Sequence, residues 1–296
     1  MEEKINLPDL LLRAWKISWM SPLLWVLGAI SAGTSVLENF WLDKNTVSSG
    51  ADLFRIFSSY GFKDALLLAL VFGLVFLVSV FGKSNLVVQV FERIKSDSSR
   101  FSKQHSLPHY SPFLLFWRGL QVEFLSAIAF IVLIVILASP VFLSSFYSPE
   151  KASLLFVLGS VTFIPLTLSL FCVKEFTLCY SLLTSLSLRQ ALENGTRLFS
   201  LFPLPAILLG AFTFFGVLLF TICINLVMLG ALVLFENIGF SLGNFFLGFL
   251  ALTWLSLFQR ALWTLFFIEI AGPKAPDQEK ESVPLIEKRI PEVPAA

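Results

Sequence analysis

A chain of 296 residues that is 56% hydrophobic and only 14% charged, with mean hydropathy +0.83, lies outside the range of soluble globular domains. An interior of that size cannot hide so much apolar surface, 33 Phe residues included, so the bilayer must be the solvent for most of it. The net charge of +1 points to no nucleic-acid partner. Cys172, Cys179 and Cys223 all sit in apolar runs, where they read as small buried hydrophobes without disulfide or metal-ligand spacing.

In chain order, "NLPDLLLRAWKISWM" comes first: Asp9, Arg13 and Lys16 form one polar stripe on a Leu/Trp-rich amphipathic helix. Such a segment is not the simple basic stub of a cleaved signal, so the apolar run that follows reads as a retained span. Uncharged runs of about 18 residues can cross the hydrocarbon layer as helices. Six are expected, at roughly 21–37, 65–82, 124–146, 154–173, 204–234 and 242–259. Helix is required over strand because a lone chain in lipid must satisfy its own backbone groups, and the runs lack the alternation of a barrel.

Between the first two runs, "ADLFRIFSSY" reads as a short interfacial helix in the one sizeable outer loop. The loop "SDSSRFSKQHSLPHYSP" is basic and suits an anionic lipid surface. His105 and His109 have the i,i+4 spacing of paired metal ligands, but Pro108 lies between them and no Glu or Cys accompanies them, so they read as a solvated loop. "SPFLLFWRGLQVEF" then places Pro112 just inside a Ser111 cap. Later, "SLRQALENGTRLFSLFPLPAILL" offers Ser187 and Gln190 as a capping box, with Arg189, Glu193 and Arg197 lining one helix face. That helix is expected to lie flat at the headgroup level or to pack against the ends of other helices. The fifth run reads as one tilted helix, bent near Gly230. The Pro-rich, mixed-charge tail 271–296 reads as disordered, with "VPLIEKRIPEVP" as a candidate docking peptide.

The segments that a cytoplasmic amino terminus would place inside hold seventeen Lys and Arg, against four outside (Lys44, Arg55, Lys63, Lys151). Both termini are therefore expected in the cytoplasm of a bacterial inner-membrane protein. Lys16 precedes Pro22 by six residues, as Arg197 precedes Pro203, and Trp117-Arg118 matches Trp15-Lys16 more loosely. The chain accordingly reads as one all-α membrane domain, 1–270. Three parallel modules (about 5–95, 111–175 and 187–270) each comprise an interfacial amphipathic helix and an out-and-back pair of spans.

The elements "LLLRAWKISWMSPLLWVLGAI", "LRQALENGTRLFSLFPLPAILLGAF" and "ALWTLFFIEI" resemble the bacterial integral-membrane family related to the glycerophosphoryl diester phosphodiesterase membrane domain. Thr196 stands where that family often has Trp, and Phe267 where it often has Tyr. Members of this kind are uncharacterised, so the resemblance implies a fold over about residues 5–270 and carries no catalytic residue across.

Three cations fall at one depth. Lys83 lies 18 residues in from Ala65, Lys174 20 in from Leu154, and Arg260 18 in from Leu242, which puts all three about 27–30 Å down, near the inner boundary. More apolar sequence follows each, so the helices are expected to continue into a buried layer beyond the membrane. On the simpler reading the three snorkel to headgroups and mark span ends. On the sharper one they converge as contacts for an anionic lipid headgroup or other phosphate, with Glu123, Glu175 and Glu269 as candidate counter-charges. No cofactor motif, nucleophile elbow or phosphate-cradling loop occurs. The function expected is therefore a non-enzymatic membrane module that organises or senses lipids or scaffolds partners. The rival is a small transporter with a polar site between the repeats.

Overall fold

The computed structural model describes residues 6–19, 22–33, 62–97, 110–234 and 238–271. Among them there are eight helices and no strand: α1 (Leu7–Trp19), α2 (Pro22–Ser31), α3 (Phe62–Asp97), α4 (Pro112–Ser145), α5 (Pro149–Leu183), α6 (Leu188–Leu201), α7 (Pro203–Leu234) and α8 (Ile238–Ala271). Residues 34–61 with the segment "ADLFRIFSSY", residues 98–109 with His105 and His109, and residues 272–296 of the tail lie outside the described residues.

Among the described residues, four helices are long and apolar enough to cross a membrane, within Leu66–Ser96, Pro112–Ser144, Glu150–Leu183 and Gly248–Ala271. A fifth is added if the bent pair Leu188–Leu201 and Pro203–Gly216 counts as one. The chain is thus a membrane-embedded, multi-pass helical protein. α2 is only ten residues long, too short by itself for a layer of about 30 Å. α7 runs without a break across Gly230.

The expected third interfacial helix does not exist as a separate element. α4 is one helix from Pro112 to Ser145, with Pro140 inside it and its amino terminus capped where Ser111 Oγ accepts from Leu114 N at 3.3 Å. The difference has a local cause. Pro22 and Pro203 each start a new helix, because proline has no N–H to continue the one before and clashes with its last turn. No proline stands between Trp117 and Phe124, so nothing ends the helix there.

α4 and α5, at 34 and 35 residues, reach about 50 Å, well beyond one hydrocarbon layer. Their two halves live in different surroundings. None of the most apolar stretch of either helix is buried: Ile131, Val135, Ile136, Leu154, Val157 and Val161 are all more than half exposed. The core lies at the opposite end. There Leu86, Val90 and Ile94 of α3, Leu115 and Val122 of α4, Phe176, Leu178 and Leu182 of α5, and Leu257, Leu262 and Phe266 of α8 pack into one buried cluster. Leu10, Ala14 and Ile17 of α1 and Leu198 of α6 join it. α3, α4 and α5 therefore each have a bare apolar half and a half enclosed by protein.

α6 takes the second of its two expected placements. Its apolar face, Ala191, Gly195 and Leu198, is buried against α5 and not in lipid. The capping box forms, with Ser187 N donating to Gln190 Oε1 at 3.1 Å. Arg189 Nε donates to Glu193 Oε1 at 2.9 Å on the exposed face. A 101° bend separates α6 from the start of α7.

At the crossing of α2 with α3 and α8, small residues let backbones touch. A Cβ on Gly82 would meet the backbone N of Ser31 at 2.7 Å. Ser79 Oγ donates to the Ser31 carbonyl at 2.6 Å, while the Ser31 hydroxyl bonds that of Ser256 on α8. Lipid tails are as apolar as Leu, so close packing and interhelical hydrogen bonds supply the association that water would otherwise drive. Gly82→Val should accordingly lower thermal stability in detergent by about 1–3 kcal/mol. Gly73, with nothing within 4 Å of a Cβ, should accept Ala with no loss and a gain of up to about 1 kcal/mol. Equal effects at the two positions would contradict the crossing.

Candidate functional site

Five ionisable side chains from four helices meet inside the packed half. Lys83 comes from α3, Glu123 from α4, Lys174 and Glu175 from α5, and Arg260 from α8. Successive helical residues diverge by about 100° around the axis, and this directs the adjacent pair on α5 to different partners. Lys174 reaches across to Glu123, Nζ to Oε2 at 3.0 Å. Glu175 faces α8, where the Arg260 guanidinium grips both carboxylate oxygens, Nη2 to Oε1 at 3.1 Å. Lys174 also stands 3.8 Å from Glu175, and Lys83 stands 3.8 Å from Glu123 Oε1. Gly119 permits the α3–α4 approach: a Cβ there would lie 1.9 Å from Ser84 Oγ. This brings the helices together beside Lys83 and one turn before Glu123.

The floor of the network is aromatic. Phe176 meets Trp263 edge-on at 5.7 Å and stacks on Phe266 at 5.9 Å, and Lys174 Nζ lies 6.0 Å from the Phe171 ring. Charges so enclosed are expensive unless paired, and planar Arg–carboxylate forks are among the strongest pairs available. Arg260 and Glu175 form the sealed inner part, with side chains 5% and 1% exposed. Lys83 and Lys174 reach the surface at 21% and 17%. Three cations face two carboxylates, so one positive charge is left over. Glu123 Oε1 is buried without a hydrogen-bond partner, since 3.8 Å to Lys83 is too long for one.

The three cations therefore do not snorkel as separate span markers. They converge on carboxylates. α3, α5 and α8 also continue past them to Asp97, Leu183 and Ala271. Of the expected counter-charges, Glu123 and Glu175 belong to the network. Glu269 lies elsewhere and takes Arg13 of α1, Nη1 to Oε1 at 2.8 Å. Arg13 also stands 3.6 Å from Asp9, and the pair ties α1 to α8. Cys172 and Cys179 are buried, and Cys172 Sγ donates to the Ala206 carbonyl at 3.3 Å. Cys223 is exposed, contrary to its reading as a buried residue.

Sequence reasoning missed Arg118, which it matched only to Lys16 of the first module. Its Nη1 donates to the carbonyls of Ser181, Thr184 and Leu186 at 2.8, 3.1 and 3.3 Å, so it closes the free end of α5. The guanidinium also sits 4.4 Å over the Tyr110 ring, whose hydroxyl donates to the Thr184 carbonyl. No local signal reveals this, because it requires knowing that the end of α5 lies beside the start of α4.

No protein-family model, curated protein or solved structure matches the chain. The site must be read from its own chemistry: it binds helices together by charge, and its surplus is positive.

Arg260→Met leaves the Glu175 carboxylate buried without its fork and should cost about 3–5 kcal/mol. Adding Glu175→Leu should recover most of that loss in detergent-solubilised thermal unfolding. A double variant no more stable than Arg260→Met alone would contradict the pairing.

Proposed function

We propose that this chain is a non-enzymatic integral-membrane module that organises or senses lipids. The observation that carries the reading is the net-positive ion network placed where bare apolar helices enter a packed protein layer. Anionic headgroups sit at such a boundary, and basic side chains there attract them. A cluster of Trp supports the same reading. Trp15 meets Trp254 at 4.9 Å and Trp19 meets Trp25 at 5.4 Å, with Trp15 and Trp19 about half exposed. Indole rings favour the headgroup level.

In the full proposal the membrane is the bacterial inner one, crossed six times in three hairpins, with both termini in the cytoplasm. The packed layer then faces the cell interior, as the distribution of Lys and Arg favours. The resemblance to the phosphodiesterase-associated membrane family is part of this reading. Partners that scaffold through the tail remain compatible with it.

A transporter would need polar side chains turned toward a shared path at mid-membrane. In the bare half of α4 and α5, Ser139, Ser160 and Thr162 instead donate to carbonyls of their own helix, those of Ile136, Phe156 and Leu158. This weighs against the transport reading.

The protein purified in mild detergent should carry phospholipid enriched in anionic headgroups relative to the source membrane, and single cysteines near the two termini should label from the same side. Co-purified lipid of bulk composition would sink the lipid reading, and labelling from opposite sides would sink the six-span topology.

A further inference from the structure

We infer that Lys83 is the seat of a single, singly charged phosphate group, donated by one lipid whose headgroup docks against the network. This rests on the lipid-organising reading above and adds to it one residue, one ligand charge and one copy.

The assignment follows from how the five charges divide. Arg260 is committed to Glu175 through two hydrogen bonds inside the sealed part of the network. Lys174 is committed to Glu123 at 3.0 Å and lies near Glu175. Both carboxylates are thereby claimed, and Lys83 is the cation left in excess. Its ammonium has three N–H donors, and among the described residues none of them reaches an acceptor, the nearest carboxylate oxygen standing 3.8 Å away. At 21% side-chain exposure it is the most accessible of the three cations. A surplus ammonium largely withdrawn from water is costly until an anion joins it.

Depth selects the anion. Lys83 lies 18 residues past Ala65, about 27 Å along α3, where the exposed apolar residues Val78 and Phe81 give way to the packed half. Lipid phosphate occupies that level, with acyl chains alongside such residues. The same chemistry would suit a free phosphate, which has no reason to prefer that depth. The limit of one negative charge comes from Glu123. Its Oε1, itself without a hydrogen bond, repels a second charge brought to the same ammonium.

Native mass spectrometry of the detergent-solubilised full chain, titrated with phosphatidylglycerol and phosphatidylcholine, tests this. The wild type should take one phosphatidylglycerol in clear preference. Lys83→Gln should lose about fivefold or more in that preference, while Lys83→Arg should keep it. Glu123→Gln raises the network's surplus to two charges and should tighten phosphatidylglycerol binding. A purely structural role would weaken binding in both neutralising variants, so loss in Glu123→Gln would overturn the inference. Retained preference in Lys83→Gln would overturn the assignment and leave the lipid-organising reading standing. A wild type indifferent to the two lipids would remove both. Displacement of bound phosphatidylglycerol by millimolar inorganic phosphate would show that the seat serves a free anion and would overturn the lipid source.

Discussion

The cost of leaving a charge unpaired away from water governs this structure. Lys83, Glu123, Lys174, Glu175 and Arg260 come from α3, α4, α5 and α8; Lys174 holds Glu123 and Arg260 holds Glu175 across helices, while Lys83 stands 3.8 Å from Glu123. Pulling α4, α5 or α8 away strands a charge that its partner had paired, a penalty of several kcal/mol. Apolar surfaces in lipid supply no comparable force, because a Leu side chain exchanges one hydrocarbon neighbour for another. The network therefore fixes which helices meet and in what register. The aromatic floor of Phe176, Trp263 and Phe266 then fills the space beneath it.

That constraint explains why the long helices divide into two zones. Where the charges meet, the helices pack closely and α1 and α6 wrap the outside, with Arg13 bonded to Glu269 and the buried face of α6 pressed on α5. Farther along, α4 and α5 run side by side with large apolar side chains exposed. The hydroxyls of Ser160 and Thr162 there donate to carbonyls of their own helix. The packed zone supplies the specific structure, and the bare zone supplies the attachment to the bilayer. A positive surplus at the junction between them is what turns an architectural device into a candidate lipid contact.

Much of this plan was legible in the sequence, for identifiable reasons. Hydropathy alone located the apolar runs, because length and lack of charge suffice for a helix in lipid. The Ser187 box and the starts at Pro22 and Pro203 were legible because capping and proline act within a few residues. The equal depth of Lys83, Lys174 and Arg260 was legible by counting from the span starts, and Glu123 and Glu175 could be named with them. Whether those cations point inward or outward was not legible, since that depends on how each helix is rotated against its neighbours. The same limit hid the partner of Glu269 and the role of Arg118, whose acceptors lie more than sixty residues away in sequence. The supposed interfacial helix before Phe124 failed for the opposite reason. A loose likeness to the amino terminus outweighed the absence of any residue able to stop α4.

An experimental structure of the protein in lipid nanodiscs, at a resolution that places side chains, tests the central claim most directly. The account requires the Arg260 guanidinium to lie flat on the Glu175 carboxylate, with Lys174 against Glu123 and the bare half of the α4–α5 pair in the lipid belt. Density showing Arg260 and Lys174 directed outward to headgroups, with Glu175 unpaired, would contradict it.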